Sequence, residues 1–145
     1  MDNNAWNLIF PILIVVLANT MYNICAKSTP GDVNPFATLM VTYAVAVIIT
    51  LIIFVVMVKP ENVVVELSKI NWTAFVLAIS VVLLEVGYIL IYRAGWNVNN
   101  ASLVANIGLA CSLLIVGFLM YNETLSVKQV IGFVICIVGL IFVTG

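Results

Sequence analysis

The sequence predicts an all-α integral membrane protein with five transmembrane helices. Three observations lead there: 65% of the 145 residues are hydrophobic, only 8% are charged, and the apolar residues gather into five runs of membrane-spanning length. A mean hydropathy of +1.28 and so few charges lie far from soluble domains, in which about 25% of residues are charged. About 20 residues at 1.5 Å each cross the ~30 Å hydrocarbon core. A backbone exposed to lipid must satisfy its own hydrogen bonds, so each run is read as a helix.

The expected spans are about 6–26, 35–58, 72–93, 101–121 and 127–143, within one five-helix membrane domain over 1–145. The opening MDNNAWNLIF lacks a positive n-region, and the apolar run after it is too long for an h-region, so it is read as part of a first span and not as a cleaved signal. Helix ends carry their own signals. Asn34 before Pro35 pairs a capping side chain with a proline at the first helical position. Asn71 and Asn100 are expected to cap the third and fourth spans, and Ser126 to Gln129 has capping-box spacing. Asn71, Asn100 and Asn122 also begin glycosylation-type triplets, but at the membrane ends capping is the better account. Pro60 is expected to end the second helix. The stretch from Lys59 to Lys69, mixing charges with valines, suggests a short interfacial segment. Trp6, Trp72 and Trp96 fit an aromatic belt.

Composition excludes several kinds of chemistry. The chain has no histidine, which removes His-dependent triads and His metal sites. No Gly-rich Lys-Ser/Thr loop is present to hold a nucleotide. Neither enzymatic activity nor a cofactor or metal is expected. Eleven charges and a pI of 5.1 provide no basic patch for nucleic acid. Cys25, Cys111 and Cys136 lie in or beside apolar runs without metal-type spacing and read as small hydrophobes.

The informative polar residue is Glu85, well inside the third span. A charge at mid-depth costs at least ~2.5–3.5 kcal/mol on an insertion scale, and ionisable groups inside membranes are functional by default. At 100° per residue Glu85, Tyr88 and Tyr92 share one face, forming a wall for a cation or proton site. Withdrawal from water alters how readily a carboxyl releases its proton, so Glu85 is the expected coupling residue. The alternative is a protonated acid with a purely structural hydrogen bond. On the first helix Asn19, Tyr22, Asn23 and Ala26 share a face. Asn19 and Asn23, like Asn106 in the fourth span, are candidate cavity residues, with interhelical bonding an equal reading. Thr38 and Thr42 are weaker candidates, because threonine can bond its own helix. Ala101, Ala105, Gly108 and Ser112 align on the fourth helix, and Gly132, Cys136 and Gly139 on the fifth. Both rows are read as packing seams.

Lysine and arginine flank the spans almost evenly. Lys59, Lys69 and Lys128 fall on one side, and Lys27 and Arg93 on the other. Three against two gives little orientation by the positive-inside rule, so insertion both ways round, as an antiparallel homodimer requires, is slightly favoured over a single orientation.

Residues 100–110 (NASLVANIGLA), 118–126 (FLMYNETLS) and 131–139 (IGFVICIVG), with LANTMYNICAK at 17–27, resemble the EamA-type repeat of the drug/metabolite transporter superfamily. Asn122 stands where that pattern usually has glycine. The resemblance implies one half of an inverted-repeat transporter fold. A single repeat would then act as an antiparallel homodimer or with a paralogue as a heterodimer, exchanging or exporting a small metabolite or organic cation against protons or cations across the cell membrane. The related four-span small multidrug resistance proteins use a glutamate in their first helix. Aligned through Lys27, that position is Asn19 here, which leaves Glu85 as the membrane carboxylate available for coupling. Antiparallel pairing would bring two copies of Glu85 towards one cavity, where they would titrate together. The rival expectation is a non-transporting membrane subunit.

Overall fold

The computed structural model describes residues 3–124 and 126–144, with side chains described for 6–124 and 126–142. Helices α1 (Asn3–Ser28), α2 (Pro35–Met57), α3 (Val63–Ser68), α4 (Trp72–Arg93), α5 (Val98–Met120) and α6 (Val127–Thr144) make up the fold, and no strand occurs among the described residues. Four of these helices are long and apolar enough to span a membrane, and α6 is a shorter apolar helix. Its 18 residues extend about 27 Å at 1.5 Å per residue, near the lower limit for a span. The all-helical, five-helix membrane architecture expected from the sequence is thus present.

Solvent chemistry explains the helices better than residue propensity does. α2 is rich in valine, isoleucine and threonine, residues that favour strands in water. In hydrocarbon an unpaired strand edge would leave its backbone unsatisfied, so the same residues form a helix. Pro11 lies inside α1, a position that membrane helices tolerate far better than soluble ones.

Most helix ends follow their sequence signals. Asn34 Oδ1 accepts from Phe36 N at 2.9 Å, with Pro35 in the first helical position. Asn71 Oδ1 accepts from Thr73 N at 2.9 Å. Ser126 and Gln129 form the reciprocal box, Ser126 N donating to Gln129 Oε1 at 2.8 Å and Gln129 N to Ser126 Oγ at 3.3 Å. The α2 helix closes at Met57, and Pro60 begins a 3-10 turn (Pro60–Asn62) leading into α3. There Lys69 pairs with Glu66 at 2.6 Å.

The expected cap at Asn100 is not formed. Asn97, extended at φ −74° and ψ 148°, is the N-cap residue, and α5 begins at Val98. The first helical bond already runs from Ala101 N to Asn97 O at 2.9 Å, so Asn100 lies inside the first turn. Gly95, at φ +94°, has let the chain reverse early, leaving room for that extra turn.

Two compact units divide the chain, Met1–Arg93 and Ala94–Gly145. In the first, α4 packs on both α1 and α2, burying Leu39, Ile89 and Tyr92. In the second, α5 packs on α6 and Ala101 is buried. Gly108, Gly132 and Gly139 have nothing within 4 Å of the position a Cβ would take, so these glycines are not close-approach points within the chain.

The end of α5 explains a departure noted in the sequence. Asn122 adopts φ +51°, the left-handed conformation that glycine enters freely and asparagine more readily than other residues. The Glu123 N–H returns to Gly117 O at 3.0 Å, and the Glu123 carboxyl folds back over Gly117, where a Cβ would meet Oε2 at 2.6 Å. Glu123 therefore serves the helix end. Leu125, in the same turn motif, lies outside the described residues.

Candidate functional site

The first unit holds a cavity of about 170 Å³ whose wall includes Tyr22, Cys25 and Thr29 from α1 and the turn after it, Thr38 and Thr42 from α2, and Glu85 from α4. Helix register brings the key groups to one depth. Glu85 lies eight residues before the end of α4, Tyr43 eight residues after the start of α2, and Tyr22 six before the end of α1. At 1.5 Å per residue these are about 12, 12 and 9 Å from the same end of the unit. The Tyr43 hydroxyl lies beside the Glu85 carboxyl, within hydrogen-bonding reach of it though short of ideal bond geometry. The Tyr22 hydroxyl is buried without a partner among the described residues. An unpaired buried phenol is unusual, because buried polar groups are nearly always satisfied.

The threonines of this wall are held by their own backbone. Thr42 Oγ1 donates to Thr38 O at 3.0 Å and Thr29 Oγ1 to Cys25 O at 3.1 Å. Their protons are thus committed, while their oxygens retain acceptor capacity.

Tyr88 and Tyr92 take different parts from Glu85 despite sharing its helix face. The Tyr88 ring meets Tyr22 edge-on with centroids 5.4 Å apart, and lies 6.1 Å from the Tyr92 ring. Together the three rings form an aromatic stack joining α1 to α4. The Tyr92 hydroxyl donates to Asn23 Oδ1, and Asn23 Nδ2 donates to Asn19 O at 2.8 Å and to Asn19 Oδ1 at 2.6 Å. Asn23 is only 4% exposed. Asn19, Asn23 and Tyr92 therefore form a bonded relay between α1 and α4, outside the wall of the Glu85 cavity. Asn106 belongs to the second unit, where its Nδ2 donates to Ser102 O at 2.8 Å and Ser102 Oγ at 3.1 Å.

Tyr43 is the site residue that sequence reading did not single out. Its only signal was depth: the one phenol of its span, as far from the helix start as Glu85 is from the end of its own. Tyr22 shared a face with Asn19 and Asn23, but nothing in α1 alone showed that it would turn towards Glu85.

Among the described residues no cluster of three or more metal-type ligands occurs. The cavity wall offers one carboxyl and one buried phenol, Tyr22, which suits a small cationic group or a proton.

Comparison with known proteins gives a family and nothing finer. No curated protein and no solved structure matches the chain. The model of the EamA-like transporter family matches residues 6–145, covering all five apolar helices and both units. The chain belongs to the EamA-like transporter family, as a multi-pass membrane protein.

Proposed function

We propose that this protein is a secondary transporter of the cell membrane that exchanges or exports a small metabolite or organic cation against protons or cations, acting as an antiparallel homodimer by alternating access. The carrying observation is the Glu85 cavity, whose wall joins a membrane carboxyl to the Tyr22 side chain, with Tyr43 beside that carboxyl. A carboxylate at this depth is costly to keep, and here it borders an open cavity and has no cationic partner among the described residues. A cation or a proton can each neutralise it, and competition between the two couples their movements.

A dimer is supported by two features. Flanking charge is nearly balanced, which permits both orientations. In addition, Gly108, Gly132 and Gly139 have no close neighbour in the chain, leaving small-residue faces on α5 and α6 free for helices of a second copy. Pairing of opposed copies would bring two Glu85 carboxyls to one central site, where they would titrate as a coupled pair.

The deciding experiment is proton-coupled uptake in liposomes, with a panel of small organic cations supplied under an imposed pH gradient. Wild-type protein is expected to accumulate at least one of them uphill. Glu85→Gln is expected to abolish uphill exchange while inserting normally. Coupling that persists in that variant would remove Glu85 from the mechanism, and absence of transport for the whole panel under every gradient would favour a non-transporting subunit.

A further inference from the structure

A second cavity, also about 170 Å³, opens at the end of the first unit where α1 and α4 terminate. Its wall includes Lys27, Thr29, Gly31, Tyr92 and Arg93. It adjoins the Glu85 cavity, since Ala26, Thr29 and Ile89 border both. Its charges are opposite: two cations and no carboxylate line it. We propose that this cavity is an anion site, taking a carboxylate or phosphate group at the membrane surface.

Four features support the assignment. Arg93 Nη2 donates to Pro30 O at 3.2 Å and to Val33 O, which fixes the guanidinium at the cavity while Nε and Nη1 remain as donors. A guanidinium held in this way presents a preorganised fork to a planar or tetrahedral oxyanion. Among the described residues Arg93 has no acidic partner. Lys27 Nζ sits 5.7 Å from the centre of the Tyr92 ring, an arrangement that steadies the ammonium on the same wall. Gly31 has nothing within 4 Å of a would-be Cβ, so the mouth is open.

Cations at helix C-termini already answer the helix dipole, and Lys27 and Arg93 both occupy last turns. What the dipole does not require is their placement on the wall of one cavity, the arrangement a bound oxyanion would use. A volume of 170 Å³, against about 30 Å³ for each water in the liquid, accommodates a carboxylate or phosphate with some of its hydration. The anionic group has two sources, a soluble ligand or a lipid headgroup.

The experiment uses the full chain in nanodiscs of zwitterionic phosphatidylcholine, titrated calorimetrically with inorganic phosphate and with acetate. A parallel set of discs contains phosphatidylglycerol, and retained lipid is counted by native mass spectrometry. Saturable binding of phosphate or acetate is expected in the wild type. Lys27→Gln should weaken it about tenfold, the usual scale for one charge-assisted contact. Arg93→Gln should weaken it at least as much, and Arg93→Lys less. If phosphatidylglycerol is retained and suppresses phosphate binding, the site takes a headgroup. If it does neither, the site takes a soluble anion.

Arg93 also holds the loop, so Lys27→Gln, which leaves those bonds intact, is the cleaner variant, with helicity checked by circular dichroism. The proposal is overturned if no anion or anionic lipid distinguishes the wild type from folded Lys27→Gln. Equilibrium binding involves no transport, so this result stands apart from success or failure of the uptake experiment.

Discussion

The Tyr92 hydroxyl donates to the side-chain oxygen of Asn23, tying the end of α4 to α1 with a bond 69 residues apart in sequence. Asn23 spends its amide hydrogens on Asn19, so its carbonyl oxygen is left to accept from Tyr92. The bond joins the same two helices, α1 and α4, that pack against each other in the first unit. A double-mutant cycle with Tyr92→Phe and Asn23→Leu should therefore show coupling. Each single change is expected to cost about 0.6–2 kcal/mol in detergent unfolding, the range for interhelical hydrogen bonds in membranes, and the double change less than their sum. Strict additivity would show that the two groups do not depend on one another.

Tyr43 sits beside the Glu85 carboxyl, so its hydroxyl is placed to support that carboxyl when it is charged. Tyr43→Phe removes one oxygen and little volume. Transport of a cation is expected to show a raised KM, by about five- to twentyfold for one lost contact, with helicity and thermal stability nearly unchanged. Loss of folded protein in place of a KM effect would make Tyr43 a structural residue.

Asn122 holds a left-handed conformation at φ +51°. Asn122→Gly should be neutral or slightly stabilising, and Asn122→Ala should cost about 1–2 kcal/mol. Thermal unfolding of the three proteins checks the order, and an alanine variant as stable as the glycine one would contradict the turn.

Helix caps give a paired comparison. Asn71→Ala removes the acceptor of Thr73 N and is expected to cost about 0.5–2 kcal/mol. Asn100→Ala, inside α5, exchanges asparagine for the best helix former and should be neutral or stabilising. Equal destabilisation by both would move the α5 cap back to Asn100.

Topology follows from the flanking charges. Adding two lysines beside Lys59 and Lys69 should drive nearly all molecules into one orientation, read by reporter fusions at the C-terminus, and should abolish uphill transport. Co-expression with a copy biased by lysines beside Lys27 should restore it. Activity of a singly oriented population on its own would end the antiparallel arrangement.

Helices, their boundaries and most of their caps were legible in the sequence because each is set along one segment. Hydrocarbon forces the backbone to bond to itself, and Asn34, Asn71 and the Ser126–Gln129 pair act within three residues of where they stand. Glu85 stood out for the same reason, as a carboxyl inside an apolar span. The α5 start was not, because it depended on how early the turn at Gly95 reversed the chain.

Which faces meet was decided by the tertiary structure alone. Helical periodicity placed Glu85, Tyr88 and Tyr92 on one face of α4, but packing of α1 and α2 against that face divided them among a cavity, an aromatic stack and a hydrogen-bonded relay. Tyr43 reached Glu85, and Lys27 converged with Arg93, through the register between helices, which no single segment carries. A helix specifies its own surface, whereas a site between helices depends on crossing geometry and relative depth, and these emerge only when whole faces pack.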